Sequence, residues 1–351
     1  MAAFQLLPTE LLDEIINYLS VPAPSTGRLH LRPSTQIPRD PRDLKNLSRT
    51  CSRLSKLVRP SLFTHGQVDS QDVDEYLDFL TKSGLCPRVK SLVLRVQDSC
   101  DSARIWRLLS ANPRLSRLTL IAPPATIAKI LALEIEEEHV WAFEIRFQTV
   151  HLECDRSSMQ PVNKDCSSLL DALPWSSFLF NESSSLKAYK HYEYFLYKVP
   201  SIFGPTCTRT REHSALKKLT SFTYVALFPF YNHLQGMLEA VDRMSNLRFW
   251  TVQLAPSKND TEADLSVPAP MDPNDMWMEL ATGYAVIAHA VRLRGSEGCL
   301  EKFTACDYYT PAIREEVNRA CYDVLDNGLW THDGCGTWTK VTDRFENGLT
   351  A

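Results

Sequence analysis

His151 and Cys154 lie close together in the segment VHLEC and are the first candidates for chemistry in this sequence. A Cys–His pair acts as nucleophile and base only if both side chains converge on one point. The alternation of apolar residues around this segment predicts a β-strand, in which Cys154 faces the side opposite to His151 and Glu153. The predicted strand therefore argues against a dyad and favours a core cysteine behind a polar surface.

Other catalytic and metal-binding signatures are absent from the sequence. It contains no G-x-S-x-G elbow, no phosphate-binding P-loop and no G-x-G-x-x-G turn. The ten cysteines are at least seven residues apart, so no pair has the close spacing of a zinc site. We expect no catalytic residue, no metal and no cofactor, with a hydrolase built on a buried Cys or Ser nucleophile as the alternative class.

The composition is that of an ordinary globular protein. The chain of 351 residues has a net charge of −4, which argues against nucleic-acid binding through bulk positive charge. The beginning of the sequence has no leader pattern, and the longest weakly polar run, residues 280–291, is too short to span a bilayer. These features predict a soluble cytoplasmic or nuclear protein without membrane partners, whose reduced thiols mostly fill the core.

Residues 1–66 differ from the rest in charge and begin with a helical pattern. Nine basic residues against five acidic ones make a net of +4 here, which leaves −8 for the remainder. Pro8 suits a first helical turn because its missing N–H is not needed there. The apolar stripe that follows consists of Leu11, Leu12, Ile15, Ile16, Tyr18 and Leu19. So wide a stripe on a short helix predicts apolar contacts on two sides.

A second helical region follows a Pro-rich loop. Residues 20–39 contain four prolines and no apolar period, which predicts an exposed loop without apolar anchors. Asp40 as N-cap and Pro41 at the first position mark the next helix start. Pro60 is expected to end the helical pattern. The apolar positions between them, three or four residues apart, are Leu44, Leu47, Cys51, Leu54 and Val58.

Together these two regions resemble the F-box, a module of three helices. The matching residues are Leu7, Pro8, Glu10, Leu11, Leu12, Ile15, Tyr18, Leu19, Asp43, Leu44, Cys51, Arg53, Leu62 and Phe63. The sequence departs from the family in its longer first loop and in Leu54, where many members carry Trp. A generic helical cap on the following domain is the alternative interpretation of the same residues.

The resemblance implies that this module binds a Skp-type adaptor and, through it, a cullin. The expected adaptor-binding residues are Leu7, Pro8, Leu11, Leu12, Ile15, Leu19, Leu44, Leu47 and Cys51. The wide apolar stripe would then serve both the module's own core and the adaptor.

Strand-like and helix-like patterns alternate through residues 67–351. An apolar-x-x-apolar-x-apolar motif spans 89–94, 115–120, 147–152, 186–191, 219–224, 247–252 and 300–305. Stripes with helical spacing fall at 105–109, 127–131, 169–173, 234–241, 276–291 and 313–324. A strand that alternates with a helix about every 30 residues is typical of a parallel α/β solenoid.

The strand motif resembles the leucine-rich repeat over residues 85–310, although the Asn that usually follows the last apolar position is missing. The predicted fold class is α/β: an F-box at 1–66 with the inserted loop 20–39, then a degenerate leucine-rich-repeat-like solenoid at 67–351. An acidic loop interrupts this region at 257–275, where Asp272 and Pro273 mark a helix start, and a strand is expected at Thr337–Val341. An ordinary α/β domain with a parallel sheet is the alternative.

In a leucine-rich solenoid the residue between the last two apolar positions faces the concave side. The candidate substrate-binding residues of this row and its neighbours are Arg95, Thr119, His151, Glu153, Lys190, Thr223, Thr251, Gln253 and Thr304. The row is polar without strong charge, which suits a protein or peptide better than a phosphate polymer; a solvated face is the alternative. The aromatic residues at 189–197 are interpreted as core and rim.

The resemblance thus predicts a non-catalytic substrate-recognition subunit of a Skp-cullin-F-box ubiquitin ligase. Such a subunit would bind the adaptor through its F-box and an unknown protein substrate through its repeats. A repeat scaffold that joins a Skp-type adaptor without any ligase is the alternative function.

Overall fold

Ten β-strands and eleven α-helices form within the part of the chain that the structure, a computed structural model, describes. The described residues are 7–20, 22–23, 29–31, 33, 41–97, 102–135, 139–143, 145–155, 162–163, 166–191, 194–204, 215–256, 272–326 and 328–341. They belong to two compact units, residues 1–133 with 146–175 and residues 134–145 with 176–351.

The helices are α1 (Thr9–Tyr18), α2 (Arg42–Ser48), α3 (Ser52–Leu62), α4 (Val73–Lys82), α5 (Ser102–Ala111), α6 (Pro124–Leu131), α7 (Val140–Phe143), α8 (Leu169–Ala172), α9 (Tyr231–Asp242), α10 (Pro273–Glu297) and α11 (Pro311–Leu325). The strands are β1 (His65–Asp69), β2 (Ser91–Arg95), β3 (Arg117–Ala122), β4 (Gln148–Cys154), β5 (Trp175–Ser184), β6 (Ser221–Leu227), β7 (Phe249–Gln253), β8 (Lys302–Ala305), β9 (Trp330–His332) and β10 (Thr337–Lys340). The mixed α/β class is confirmed, and the predicted boundary at residue 66 falls inside β1.

Three helices open the first unit, and the apolar spacing from Leu44 to Val58 continues across the break between the second and the third. The chain breaks between α2 and α3 because Cys51 adopts an extended conformation, with φ −160° and ψ 165°. Its thiol accepts a hydrogen bond from Leu54 N at 3.5 Å and so caps α3. The expectation that Pro60 ends the helix is wrong by two residues, because a proline in the last turn removes only one backbone hydrogen bond.

The first unit continues with a sheet in the order β1-β2-β3-β4. Strands β1, β2 and β3 run parallel, whereas β4 runs antiparallel to β3. The sequence therefore predicted the β4 strand correctly but not its direction, since a parallel solenoid would have kept all strands alike. Register and alternation place a buried leucine-rich row on one face: Leu92, Leu94, Leu118, Leu120, Val150 and Leu152.

The second unit contains the strand order β5-β6-β7-β8-β10-β9. The first four of these strands run parallel, and β10 and β9 add antiparallel pairs at the end. The strand predicted at Thr337–Val341 is β10. A row of aromatic side chains crosses five strands in register: Phe178, Phe222, Trp250, Phe303 and Trp338. Neighbouring rings lie 5.6–5.7 Å apart where their contacts are measured, so this row forms the core of the unit.

One predicted strand is absent, and three strands appear that the sequence did not indicate, namely β1, β5 and β9. Residues 186–190 form a 3-10 helix instead of a strand. The preceding strand, β5, ends in a register shift, with Ser183 at φ +80° and its N–H bonded to Asn181 Oδ1 at 3.0 Å. The chain therefore leaves the sheet before residue 186. Strand β1 was missed because Val68 is its one aliphatic residue, and β5 because its run of aromatic residues lacks the motif.

Predictions about caps, loops and thiols had mixed outcomes. Asp272 caps α10 as predicted, since its carboxylate accepts a hydrogen bond from Asn274 N at 2.9 Å. Residues 257–271 of the predicted acidic loop and much of 20–39 lie outside the described residues. Ala23, Leu29 and Pro33 are nevertheless buried, so the expectation of a loop without apolar anchors is wrong there.

The thiols also differ from expectation. None of the eight described cysteines forms a disulfide bond with another, and only Cys154 and Cys321 are buried, so most of the described cysteines lie outside the core. None of the helices in the described ranges is both long enough and apolar enough to cross a membrane.

Candidate functional site

Helix α1 presents apolar side chains on two adjacent sides, as its wide stripe predicts. Leu12 and Ile16 are 1 % and 2 % exposed, whereas Leu11 is 46 % and Tyr18 is 90 % exposed. Pro8 is also exposed and Ile15 is half-buried. One side of the helix therefore stabilises the module, and the other leaves apolar surface in water.

The core beneath this surface comes from all three helices. Ile16 of α1, Leu44 of α2 and Val58 of α3 form its centre, and partly buried side chains of Leu19, Leu47, Leu57 and Leu62 surround them. The guanidinium of Arg53 on α3 donates to Leu7 O at 3.0 Å and to Thr9 Oγ1 at 3.2 Å. These bonds hold the first turn of α1 and so set the direction of its exposed side.

The structure divides the predicted adaptor-binding residues into two groups. Those with at least partial exposure are Leu7, Pro8, Leu11, Ile15, Leu19, Leu47 and Cys51. Leu12 and Leu44 are 1 % and 2 % exposed, so the structure does not present either side chain to an adaptor, and Leu44 belongs to the module's own core. Tyr18 was not among the predicted residues, although its position seven residues after Leu11 places it on the same helix side.

A chain of polar contacts crosses β3 and β4 on the face opposite to the leucine row. The hydroxyl of Thr119 lies 2.7 Å from Nδ1 of His151, and Nε2 of His151 lies 2.7 Å from Oε1 of Glu153. Arg117 donates to the same carboxylate oxygen at 2.7 Å. Antiparallel register brings these side chains together because Thr119 pairs with His151 and Arg117 with Glu153.

The electrostatics of this network favour a neutral histidine next to a charged carboxylate. Burial lowers the pKa of His151, and the bond to Glu153 offsets this in part. The hydrogen bond from His151 lowers the pKa of Glu153 to about 2, aided by Arg117 and opposed by partial burial. A neutral imidazole then donates a hydrogen bond from Nε2 to Glu153 and accepts one at Nδ1 from the Thr119 hydroxyl.

The sequence of hydroxyl, imidazole and carboxylate is that of a nucleophile with its base, but this network has no access for a substrate. Thr119 is 0 % exposed, and a nucleophile must reach the atom it attacks. The contacts therefore satisfy buried polar groups and fix the strand register. The prediction that Thr119 and His151 lie on an exposed face is wrong, since His151 is also buried.

The remaining predicted substrate-binding residues lie in different surroundings. Arg95 is half-buried and paired with Asp69, with two bonds of 2.9 and 3.0 Å. Gln253 is buried and donates to Ala255 O at 3.0 Å, so its predicted exposure is corrected as well. Lys190 is exposed but belongs to the 3-10 helix, outside any strand row.

The threonines of the second unit form the one part of the predicted row that keeps both its register and partial exposure. Thr223 pairs with Thr251, and Thr251 with Thr304, and all three are half-buried. Thr337 of β10 extends the row opposite Thr304.

Two buried carboxyl groups in the second unit were not predicted. Glu182 on β5 accepts a hydrogen bond from the Tyr224 hydroxyl, and burial raises its pKa to about 7 despite bonds from Ser201 and Tyr224. Asp307 accepts bonds from Leu254 N at 2.6 Å, Ala255 N at 3.2 Å and the Tyr284 hydroxyl at 2.5 Å. Burial raises the pKa of Asp307 to about 6, although these bonds lower it in part. Both residues lie near the ends of strands and belong to no sequence motif, so the sequence did not indicate that they would be buried.

The aromatic residues near 189–197 are core and rim, as interpreted from the sequence. Tyr189 is buried against Phe230, with ring centroids 4.6 Å apart, whereas Trp141 of α7 is 56 % exposed and packs edge-on against Tyr197. Tyr192 lies outside the described residues. These rings pack against one another, so the aromatic side chains serve mainly as packing contacts within this cluster.

Within the described residues, no group of three or more His, Cys, Asp or Glu side chains is placed to hold a metal ion. Comparison with protein-family models, with curated proteins and with solved structures returned no match for this chain.

Proposed function

We propose that this protein is a substrate-recognition subunit of a Skp-cullin-F-box ubiquitin ligase. The observation that carries the proposal is the exposed apolar side of α1, formed by Pro8, Leu11, Ile15 and Tyr18, on a helix whose other side already fills a core. Positions i, i+4 and i+7 are the anchors with which a helix enters an apolar groove of a partner. The match of this segment to the F-box pattern supports a Skp-type adaptor as that partner.

The rest of the chain would then bind the substrate. Strands β2 and β3, and strands β6, β7 and β8, follow one another in parallel with helices between them, which supports degenerate leucine-rich-type repeats. The antiparallel β4 departs from that pattern. Such a subunit accelerates ubiquitin transfer without chemistry of its own, because it raises the effective concentration of the substrate at the ligase.

The test removes the exposed side of α1 and leaves its core side intact. In the Leu11→Ala/Tyr18→Ala variant we expect adaptor affinity to fall about tenfold or more, as for the loss of central interface anchors. The melting temperature should stay near that of the wild type, because neither side chain belongs to the core. Binding is measured by titration of a recombinant Skp-type adaptor and folding by circular dichroism.

The matched control is Leu293→Ala on α10, another exposed leucine, at 57 % exposure. This variant should bind the adaptor like the wild type. An α1 variant that keeps wild-type affinity would contradict the F-box assignment. Co-purification of a cullin together with the adaptor supports the ligase, and adaptor without cullin supports the alternative scaffold.

A further inference from the structure

Strand β1 lies at the edge of the sheet in the first unit. Its strand neighbour is β2, and no strand among the described residues lies on its other side. An edge strand offers backbone N–H and C=O groups to any extended chain that approaches it. Proteins that bind peptides by strand addition use such an edge for affinity and side-chain pockets beside it for specificity.

A groove of about 690 Å³ is lined by residues 67–69 of β1, by residues of α4 and by Arg95 of β2, and it supplies such a pocket. Val68 of β1 and Tyr76 and Phe79 of α4 form its apolar part, and Phe79 is 40 % exposed. Gly66 allows α4 to lie this close, because a Cβ atom at that position would overlap the Tyr76 hydroxyl. The groove therefore combines an open strand edge with an apolar floor.

The carboxylates of this groove are not equivalent. Asp69 is neutralised by two hydrogen bonds from Arg95. Asp74, on α4 but outside the groove lining, is paired with Arg107 at 2.8 Å. Asp72 and Glu75 line the groove, are exposed, and form no ion pair with any described residue. Two uncompensated negative charges thus lie beside an edge strand.

We propose that the β1 edge and this groove bind an extended basic segment of a partner polypeptide, which adds as a strand next to β1. Successive side chains of an extended chain point to opposite faces, so a segment that alternates basic with apolar residues presents all its basic side chains on one face, about 7 Å apart. These side chains would contact Asp72 and Glu75 with their charged ends and Phe79 with their apolar stems. A second copy of this chain fits less well, because it would bring the same carboxylates together. This site is independent of the adaptor surface on α1.

The probe is an N-acetylated eight-residue peptide that alternates lysine with valine, and its twin carries glutamate in place of lysine. We expect the full-length protein to bind the lysine peptide about tenfold or more tightly than the glutamate twin, since like charges at an interface are repulsive. Glu75→Lys should weaken binding of the lysine peptide by about the same factor. Affinity is measured by fluorescence anisotropy.

Glu315→Lys on α11 is the matched control, because it makes the same charge change at an exposed site of the other unit. It should leave the affinity within about twofold, since distant surface charges are screened by salt. Both variants should keep the wild-type circular dichroism spectrum. Equal affinity of wild type and Glu75→Lys would overturn the proposal.

A third peptide separates strand addition from simple charge attraction. Methylation of alternate backbone nitrogens, on the edge that would face β1, removes the donors that a strand needs. We expect this peptide to lose most of its affinity, and the unmodified peptide to slow amide hydrogen exchange at residues 65–69. Equal binding of the methylated peptide would overturn strand addition. A dimer in sedimentation that the peptide cannot dissociate would instead assign the edge to a second copy of the chain.

Discussion

The two units build their sheets on the same alternation but fill the cores differently. In the first unit Leu118 pairs with Leu152 across an antiparallel contact. In the second unit the corresponding row consists of aromatic rings, among them Phe222 and Trp250 on parallel strands. Branched aliphatic chains pack through many small contacts, whereas aromatic rings bury more area per residue and constrain their mutual angles. The same sequence period thus supports two kinds of core.

The opposite faces of the two sheets differ more strongly. In the first unit the polar row is connected from Arg117 through Glu153 and His151 to Thr119, and its last two members are buried. In the second unit the threonine row that includes Thr251 stays half-exposed. The alternation of polar and apolar residues in a strand therefore predicts which face of the sheet a polar side chain occupies. It does not predict whether that face is exposed to solvent.

The two units also differ in how they treat a glutamate on consecutive strands of the chain, β4 and β5. Glu153 lies beside His151 and Arg117, and its pKa falls to about 2. The partners that lower the pKa of Glu182 are the neutral groups Ser201 and Tyr224, and burial raises this pKa to about 7. The residue type is identical, and the partners decide whether the carboxyl is charged at neutral pH.

The largest expected effect concerns the two cores. Phe222→Ala should lower the free energy of unfolding by about 3–5 kcal/mol and Leu152→Ala by about 2–5 kcal/mol, because both leave cavities in packed rows. Amide hydrogen exchange in denaturant measures each unit separately. Phe249→Ala, at an exposed position of β7, serves as the control. A loss at Phe249 as large as that at Phe222 would reverse the assignment of the two sheet faces.

The next effect is a pH dependence that Glu182 confers on the second unit. Its pKa rises from 4.5 unfolded to about 7 folded. Its contribution to stability is therefore fully present below pH about 4.5 and is lost as the pH rises through about 7. At about 1.4 kcal/mol per pKa unit, the loss is about 3 kcal/mol.

The variant Glu182→Gln isolates this contribution because a neutral amide cannot ionise. Relative to the variant, the wild type should be about 3 kcal/mol less stable at pH 8 than it is at pH 4, as measured by urea unfolding. A stability difference that does not change with pH would show that Glu182 is charged in the folded protein. Glu153 contributes in the opposite sense, since its lowered pKa stabilises the protein above the unfolded value and this is lost on acidification.

A smaller effect tests the buried network. Thr119→Val keeps the shape of the side chain and removes the hydroxyl that His151 Nδ1 accepts from. We expect a loss of about 1–3 kcal/mol, because a buried acceptor is left without its donor. Thermal unfolding measures the loss, and the His151 ring resonances in NMR report the altered contact. A neutral outcome in both would mean that water replaces the hydroxyl.

The smallest effect comes from the same substitution in the other unit. Thr251→Val should change stability by no more than about 0.5 kcal/mol, because the side chain is half-exposed and water can solvate its neighbours. Thr119→Val and Thr251→Val make the same chemical change, so the two variants differ mainly in how deeply the threonine is buried. Equal losses at Thr119 and Thr251 would remove the distinction between the two polar faces.

Local sequence signals predicted most elements of this fold. Examples are the helix start at Pro8, the helix cap at Asp272 and the strand motif around Trp250. Each depends only on residues a few positions away, so the local sequence is enough to predict it. Strand β1 was missed because an edge strand needs fewer apolar residues than a central one. The 3-10 helix at 186–190 was missed because the bulge that precedes it changes the chain direction without altering the apolar spacing.

The candidate sites were predicted in part. The apolar stripe of α1 was evident from spacing, but only the packing of α2 and α3 decided that Ile16 turns inward and Leu11 outward. The groove beside β1 had no sequence signal, because Asp72 and Glu75 become a site only when α4 lies against the strand edge.

The sequence by itself determined periodicity, helix starts and the charge contrast between residues 1–66 and the remainder, because these depend on residue type and local spacing. The tertiary structure alone decided the direction of β4, the burial of His151 and the opposite ionisation of Glu153 and Glu182. These properties depend on which strands become neighbours, and contacts between residues distant in sequence leave no local pattern.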